Sequence, residues 1–265
     1  MGSKMTETKT CRQWSGNIDP DALEVLRKPG GIIVSPTKVG YIIMTTDERG
    51  LDRKFNIKER ARNKPGVVLC SSIKQLEHLA VLNDEILNFY QDHWDQDILL
   101  GCILPWSKSG KSFIPDDGSR NYMMDKRETS CFVVRFGTPS EQFAKVLWED
   151  DKKLCFASSA NPSGQGNRGV ISGIGSKIES GVDMILAADE YVASIQPNSS
   201  EQTRYEQGVM ISMVDEDGVL VPEQKGQRGV LPAPTLIRKG LSVNKITNLL
   251  SDHFNSWDFR QGAYY

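Results

Sequence analysis

The sequence predicts an α/β protein, a single domain built on one twisted, mixed sheet with flanking helices. Three observations predict it. Short, β-branched apolar runs such as "GVVLCSS" and "SCFVVRFG" alternate with longer segments of helical period along most of the 265 residues, the pattern of strands with helices packed on a sheet. Paired runs at both ends of the chain suggest hairpins, so the sheet should be mixed rather than wholly parallel. No internal repeat and no low-complexity linker divides a length that one α/β domain commonly fills. The expected division is a flexible arm over residues 1–16, polar and without period, followed by one domain over 17–265.

The elements follow in order. "PGGIIVSP" and "YIIMTTD" read as two strands separated by a loop from Pro36 to Gly40. "GLDRKFNIKERARN" places Leu51, Phe55 and Ile57 near helical spacing and reads as a short helix running into a basic loop. "GVVLCSS" suits a strand buried on both faces. "IKQLEHLAVLNDEILNFYQDHW" then has the period of one long helix or two short ones. "DILLGCILP" and "SCFVVRFG" are strands joined by the long loop "WSKSGKSFIPDDGSRNY". Pro139 opens the helix "PSEQFAKVLWEDD", and "LCFASS" is the next strand. Beyond it come a helix near 170–180, the strand "DMILAAD", a polar loop over 193–204 and strands near 207–214 and 218–222. The strand "PTLIRKG" and the helix "SVNKITNLLSDHF" complete the pattern.

Charge narrows the function classes. With 32 Lys and Arg against 34 Asp and Glu, the net charge of -2 excludes a globally basic nucleic-acid binder. Locally the balance differs: Arg53, Lys54, Lys58, Arg60, Arg62 and Lys64 stand against only Asp52 and Glu59, which marks an anion site or, alternatively, a solvated cationic face. The five cysteines form no CxxC and the three histidines have no ligand spacing, so no transition-metal site is expected. No apolar run approaches the roughly 20 residues of a membrane helix, and the N-terminus lacks the apolar core of a signal peptide. A cytoplasmic protein without a membrane partner is the expectation.

Two segments carry chemistry. In "CFASSANPSGQG", Ser158, Ser159, Asn161 and Ser163 lie at the carboxyl end of a predicted strand, where ligands gather in open α/β sheets. Turn capping is the competing reading, since Asn before Pro initiates turns and Gly164 and Gly166 suit positive φ. In "IKERARNKPG", Lys58 and Arg60 would diverge by about 200° on a continuous helix. They converge on one ligand only where the helix ends or the segment is extended, and Pro65-Gly66 favours such an ending.

Together these segments resemble the K-x-R and S-x-N signature of the YrdC-like family, the L-threonylcarbamoyladenylate synthases. "GGIIVSPTKVGYII" resembles the family's opening strand and P-T-x-T-x-Y-G turn through Pro36, Thr37 and Tyr41; "SCFVVRFG" resembles a strand bearing a family arginine, here Arg135; and "PTLIRKG" resembles the closing strand with Arg238 and Gly240. The resemblance runs from about 24 to 241. It implies a large basic cavity and the condensation of L-threonine, bicarbonate and ATP into a carbamoyl adenylate with release of pyrophosphate. The product would pass to the adenosine beside a tRNA anticodon, through a transferase partner or directly. In this reading Lys58, Arg60, Ser159 and Asn161 are catalytic. Those four with Arg135, Ser163 and Arg238 bind ATP or AMP, and Pro36, Thr37, Lys38 and Tyr41 bind the amine. Mg²⁺ would be held by phosphate oxygens and water.

The chain departs from the pattern in the amine pocket. Lys38 and Val39 stand where an acid and a second threonine are expected, Ile42 replaces a glycine, and Trp94 is not followed by Pro-Gly-Pro. A different amine is therefore one expectation and drift within a threonine enzyme the other. A non-catalytic module for double-stranded RNA or tRNA, or a nucleotide sensor, are the alternatives to an enzyme. Tyr41, Trp106 and Tyr122 read as stacking rings or as core. Lys108 and Lys111 lack the full Walker spacing.

Overall fold

In the computed structural model, which describes residues 10–59 and 66–262, the apolar runs pair into one sheet of eleven strands. The strands are β1 (Thr10–Gln13), β2 (Ile33–Thr37), β3 (Gly40–Thr45), β4 (Val67–Leu69), β5 (Leu100–Pro105), β6 (Thr129–Val134), β7 (Cys155–Ser159), β8 (Met184–Ala187), β9 (Met210–Ser212), β10 (Thr235–Arg238) and β11 (Asp258–Phe259). Their order is β1-β8-β2-β3-β7-β4-β6-β5-β9-β10-β11. The sheet is mixed: β4 and β6 are parallel, whereas β7 runs antiparallel to both of its neighbours, β3 and β4.

The flanking helices are α1 (Pro20–Arg27), α2 (Glu48–Lys58), α3 (Ile73–Leu79), α4 (Asp84–Asp95), α5 (Lys108–Lys111), α6 (Arg120–Met123), α7 (Ser140–Glu149), α8 (Ser176–Gly181), α9 (Asp189–Ile195) and α10 (Val243–His253). Period-two alternation sorts each strand's side chains between two faces. On β6, Phe132 and Val134 join Leu79 of α3, Phe89 of α4 and Leu250 of α10 in one buried cluster. Cys131 and Val133 point the other way, into a cluster with Leu26 of α1 and Phe143 of α7. Both α1 and α7 pack against β2. Over β4, β5 and β6 that second face opens into a cavity.

Several elements differ from expectation. Residues 10–13 are not part of a flexible arm: they form edge strand β1, parallel to β8. The loop expected from Pro36 to Gly40 shrinks to Lys38 and Val39, because Pro36 pairs with Tyr41 and Thr37 with Gly40. The long helical segment breaks into α3 and α4, with Asn83 capping the second by accepting from Ile86 N at 3.0 Å. Short helices α5 and α6 occupy the expected loop at 106–122, and α9 enters the loop expected from 193. The expected strand at 218–222 makes only the bridge Val214–Leu220, and β11 had no counterpart in the pattern. No helix of the described residues is long and apolar enough to cross a membrane.

His93 on α4 makes the stability sensitive to acid. Its ring is buried edge-on against Phe89 at 4.3 Å, with Nδ1 2.7 Å from the Phe89 carbonyl. Burial lowers its pKa from 6.5 to about 4. As pH falls below 6.5, the unfolded chain takes up the proton first, so stability is lost between pH 6.5 and 4, by roughly 2–3 kcal/mol from this group. Urea unfolding at pH 7 and pH 4.5 should show that loss, and His93→Gln should flatten it.

Candidate functional site

Helix α2 ends at Lys58. Asp47 caps α2 by accepting from Gly50 N at 2.8 Å, and Glu59, at φ 49, stops the helix in the left-handed region. Arg53 fixes α2 to the start of β8, donating from Nη1 and Nη2 to the two carboxylate oxygens of Asp183, each at 2.8 Å. Lys54 and Lys58 are buried, so this side of the cluster is not a solvated face. Lys58 Nζ donates to the Ser159 carbonyl and lies 3.3 Å from Ser159 Oγ. Its position at a helix C-terminus favours the positive charge. The cationic helix end and the exit of β7 thus meet. Arg60, with Arg62 and Lys64, lies outside the described residues.

The exit of β7 is held open by its neighbours. Pairing with β3 runs to Ser159, and Ala160 N continues it to the Tyr41 carbonyl at 2.7 Å. Gly164 and Gly166 have φ of 80 and 76, and a Cβ on Gly166 would lie 2.2 Å from Arg204 Nε. Arg204 straps the loop by donating to the carbonyls of Gly164 and Gln165 at 2.7 and 3.1 Å. Ser158 Oγ and Asn161 Oδ1 are buried with no hydrogen-bond partner among the described residues. Polar atoms left so are costly unless a ligand satisfies them.

These groups line a cavity of about 590 Å³. Its floor is the open sheet face: Ile42, Leu69, Leu99 and Val133, with Val39 and Phe136 beside them. Ser159 and Asn161 contribute from the end of β7, and Arg238 and Lys239 from the end of β10, with β4, β6, β5 and β9 between those strands in the sheet. Arg238 Nε donates to the Gly208 carbonyl at 2.9 Å, and Lys239 Nζ sits 4.6 Å from the Phe259 ring centroid. Among the described residues, Arg204, Arg238 and Lys239 have no carboxylate partner, and Glu206 is the one acid of the lining. The wall is therefore cationic and suited to an anion. Cys131 also lines it; burial pushes its thiol up to about 12 against the pull of Arg238, which leaves a neutral wall rather than a nucleophile.

Of the residues read from the sequence, Thr37, Ser159, Asn161 and Arg238 line the cavity, and Lys58 supports Ser159 from behind. Five are placed elsewhere. Pro36 is spent in the β2–β3 pairing. Tyr41 is fully buried, its hydroxyl donating to Asp189 Oδ1 at 2.6 Å and accepting from Ala188 N at 2.7 Å. Lys38 turns away, its Nζ 2.7 Å from both the carboxylate and the carbonyl of Asp97. Arg135 stacks 3.8 Å over the Trp94 ring and donates from Nε to the Trp94 carbonyl at 2.8 Å. Ser163 is exposed outside the lining. Trp106 is core, donating to Ser130 Oγ at 2.8 Å, and Tyr122 packs on Phe55. Lys111 pairs with Glu128 at 2.6 Å.

The reason for the Lys38 result is the turn itself. In a hairpin with two turn residues, neighbouring side chains diverge, so Val39 joins the cavity and Lys38 clips the tip to the segment before β5. Lys38→Glu should accordingly cost on the order of 1 kcal/mol by facing Asp97 with a like charge, read as a lower urea midpoint. The sequence reading missed Arg204, Glu206, Lys239 and Asn167. Asn167 is buried, donating to the Tyr41 carbonyl at 2.7 Å and accepting from Gly169 N at 2.9 Å. The one signal for Arg204 was its place at the end of a polar stretch without period.

Comparison with known proteins agrees with the geometry. The Sua5/YciO/YrdC family pattern, described as telomere recombination, matches residues 24–200. A hypothetical protein from Streptococcus mutans UA159 is 54% identical, with a TM-score of 0.91 over 97% of this chain and 100% of that one. Sua5 of P. abyssi, solved in complex with L-threonine, shares the fold at 20% identity and TM-score 0.59, over 86% of this chain and 56% of its own. This chain thus spans little more than half the length of that Sua5. E. coli YciO shares the fold at 18% identity and TM-score 0.58, over 83% and 88%. Comparison with curated proteins gives no match. With the family pattern covering most of the chain, and its S-x-N loop meeting the helix end at Lys58 and Ser159, the chain belongs to the Sua5/YciO/YrdC family.

Proposed function

We propose that the protein forms a carbamoyl adenylate from ATP, bicarbonate and an amino acid, in the manner of a threonylcarbamoyl-AMP synthase. The observation that carries the reading is the junction of Lys58 with Ser159 at a cavity whose wall holds Arg204, Arg238 and Lys239 without carboxylate partners among the described residues. The neutral amine forms a C–N bond with the bicarbonate carbon, and water leaves as the carbamate forms. A carbamate oxygen then attacks the α-phosphorus, the bond from that phosphorus to the α–β bridging oxygen breaks, and pyrophosphate departs with the electron pair.

The chain's part is positioning and charge. Ser159 and Asn161 offer a hydroxyl and an amide to the nucleotide, and the cations offset charge that gathers on the phosphates. Among the described residues no group of three or more His, Cys, Asp or Glu could hold a metal ion, and the lining is cationic, so Mg²⁺ fits here only as a companion of the triphosphate, neutralising it. L-threonine is the reference amine, and a tRNA adenosine, reached directly or through a transferase, the reference acceptor.

The test is pyrophosphate release from ATP and Mg²⁺, with and without bicarbonate and with and without an amino-acid pool. Release that needs both supports the reading. Nucleotide binding without release from any amine would make the protein a sensor. Binding of duplex RNA or tRNA that needs no ATP and weakens steeply with salt would make it an RNA module.

A further inference from the structure

Most of the charge in the cavity is positive, and two lining groups offer the opposite. Asn161 is 5% exposed, and its Nδ2 donates to the Pro162 carbonyl at 2.8 Å. That leaves Oδ1 as a buried acceptor with no partner among the described residues, and an acceptor calls for a ligand that brings an N–H or O–H. Glu206 is the one acid of the lining, and its carboxylate makes no ion pair or hydrogen bond among the described residues.

The backbone of Glu206 fixes which part of the cavity it serves. The buried Gln196 side chain accepts from Glu206 N at 2.9 Å and donates from Nε2 to the Glu206 carbonyl at 3.1 Å and to the Lys38 carbonyl at 3.0 Å. Glu206 therefore stands beside the β2–β3 hairpin tip. The loop after β7 reaches the same place: Asn167 Nδ2 donates to the Tyr41 carbonyl at 2.7 Å, and a Cβ on Gly40 would lie 2.2 Å from Asn167 Oδ1. Tyr205 N, one residue before Glu206, donates to the Asn167 carbonyl at 2.9 Å. The Glu206 side chain itself is exposed to solvent and holds none of these segments.

An amino acid entering this cavity brings an ammonium as well as a carboxylate. Of the four charged residues in the lining, Arg204, Arg238 and Lys239 repel the ammonium and Glu206 attracts it. Resting on the carbamoyl-adenylate reading, we infer that Glu206 is the residue that binds the substrate's ammonium. The proton that the ammonium sheds before the C–N bond forms leaves to the solvent that reaches Glu206.

Glu206→Gln is the test, because it removes the charge and keeps the shape and the backbone contacts to Gln196. The full chain is titrated with AMP, and then with L-threonine in the presence of AMP; D-β-hydroxybutyrate, which is threonine without its amine, serves as the control. The expected result has two opposite signs: L-threonine binds about 10-fold or more weaker to the variant, the usual cost of losing a hydrogen bond to a charged group, while AMP, an anion, binds as well or better and the melting temperature is unchanged. Parallel loss of AMP and threonine affinity overturns the inference, since a residue that merely held the loop would act on both. Threonine bound equally by the parent and the variant also overturns it, as does threonine bound no tighter than D-β-hydroxybutyrate by the parent. Pyrophosphate release from ATP, Mg²⁺, bicarbonate and L-threonine is followed on the same preparations. Release that persists unchanged in the variant removes Glu206 and leaves carbamoyl-adenylate formation standing, whereas charge-dependent threonine binding without release keeps the ammonium site and removes the reaction.

Discussion

Lys58→Ala should lower amino-acid-dependent pyrophosphate release by about 100- to 1,000-fold, the usual cost of removing one fixed donor from a site where charge develops. Two features of the site set the size of the effect. Lys58 is 3% exposed and touches Ser159 through both its carbonyl and its hydroxyl, so its loss removes positive charge and frees the end of β7 together. The same contacts predict that the variant also melts lower, because the Ser159 carbonyl is left without its charged donor. Ser159→Ala separates the two effects. It keeps the carbonyl contact and should preserve the melting temperature while still reducing release. Equal activity of Lys58→Ala and the parent would remove the helix end from the chemistry. The readouts are steady-state pyrophosphate release, AMP affinity and thermal unfolding on the same preparations.

Gly240→Ala should destabilise the fold by on the order of 4 kcal/mol, at the upper end for a single substitution. A Cβ at this position would stand 1.9 Å from the Gln207 carbonyl oxygen and 2.8 Å from its carbon. Those are backbone atoms, so no rotamer change relieves the overlap. Leu241 N donates to the same Gln207 carbonyl at 2.8 Å, which fixes the close approach that glycine permits. Because Gln207, Gly208, Arg238 and Lys239 all line the cavity, the variant should lose nucleotide binding along with stability. Urea unfolding and AMP titration test this, and a midpoint unchanged from the parent would show that the two segments can separate at little cost.

Much of the sheet was legible because its strands are apolar on both faces, as "FVV" of β6 is, and such runs have few other homes. The S-x-N loop was legible for a different reason: serine, asparagine, proline and glycine after a buried strand have little to do there except turn or bind. The direction of β7 was not legible, since local sequence carries no information on which neighbours a strand will choose. Nor was the division of labour at the hairpin tip. Lys38 and Val39 are adjacent in sequence, and only the register of Pro36 against Tyr41 decides which of them faces the cavity. Arg135 misled because an arginine after an apolar strand suits an anion site, yet the nearby Trp94 ring and Asp97 claim it. Arg204 and Lys239 reach the site across gaps of 40 residues or more from Gly164, beyond the reach of periodicity or spacing.

The order of the strands has a bearing on biosynthesis. Ser159 emerges from the ribosome well before Arg238, yet the pocket needs both, and β9 and β10 must dock beside the much earlier β5 before its far wall exists. Nascent chains that have completed β7 can assemble the β3-β7-β4-β6-β5 part of the sheet while its ligand-facing side is still bare. Completion of the cavity is thus a late event in synthesis, and pairing between segments so remote in sequence is slow. A cell halting translation upstream of Thr235 would hold a partly folded polypeptide with apolar floor residues open to chaperones.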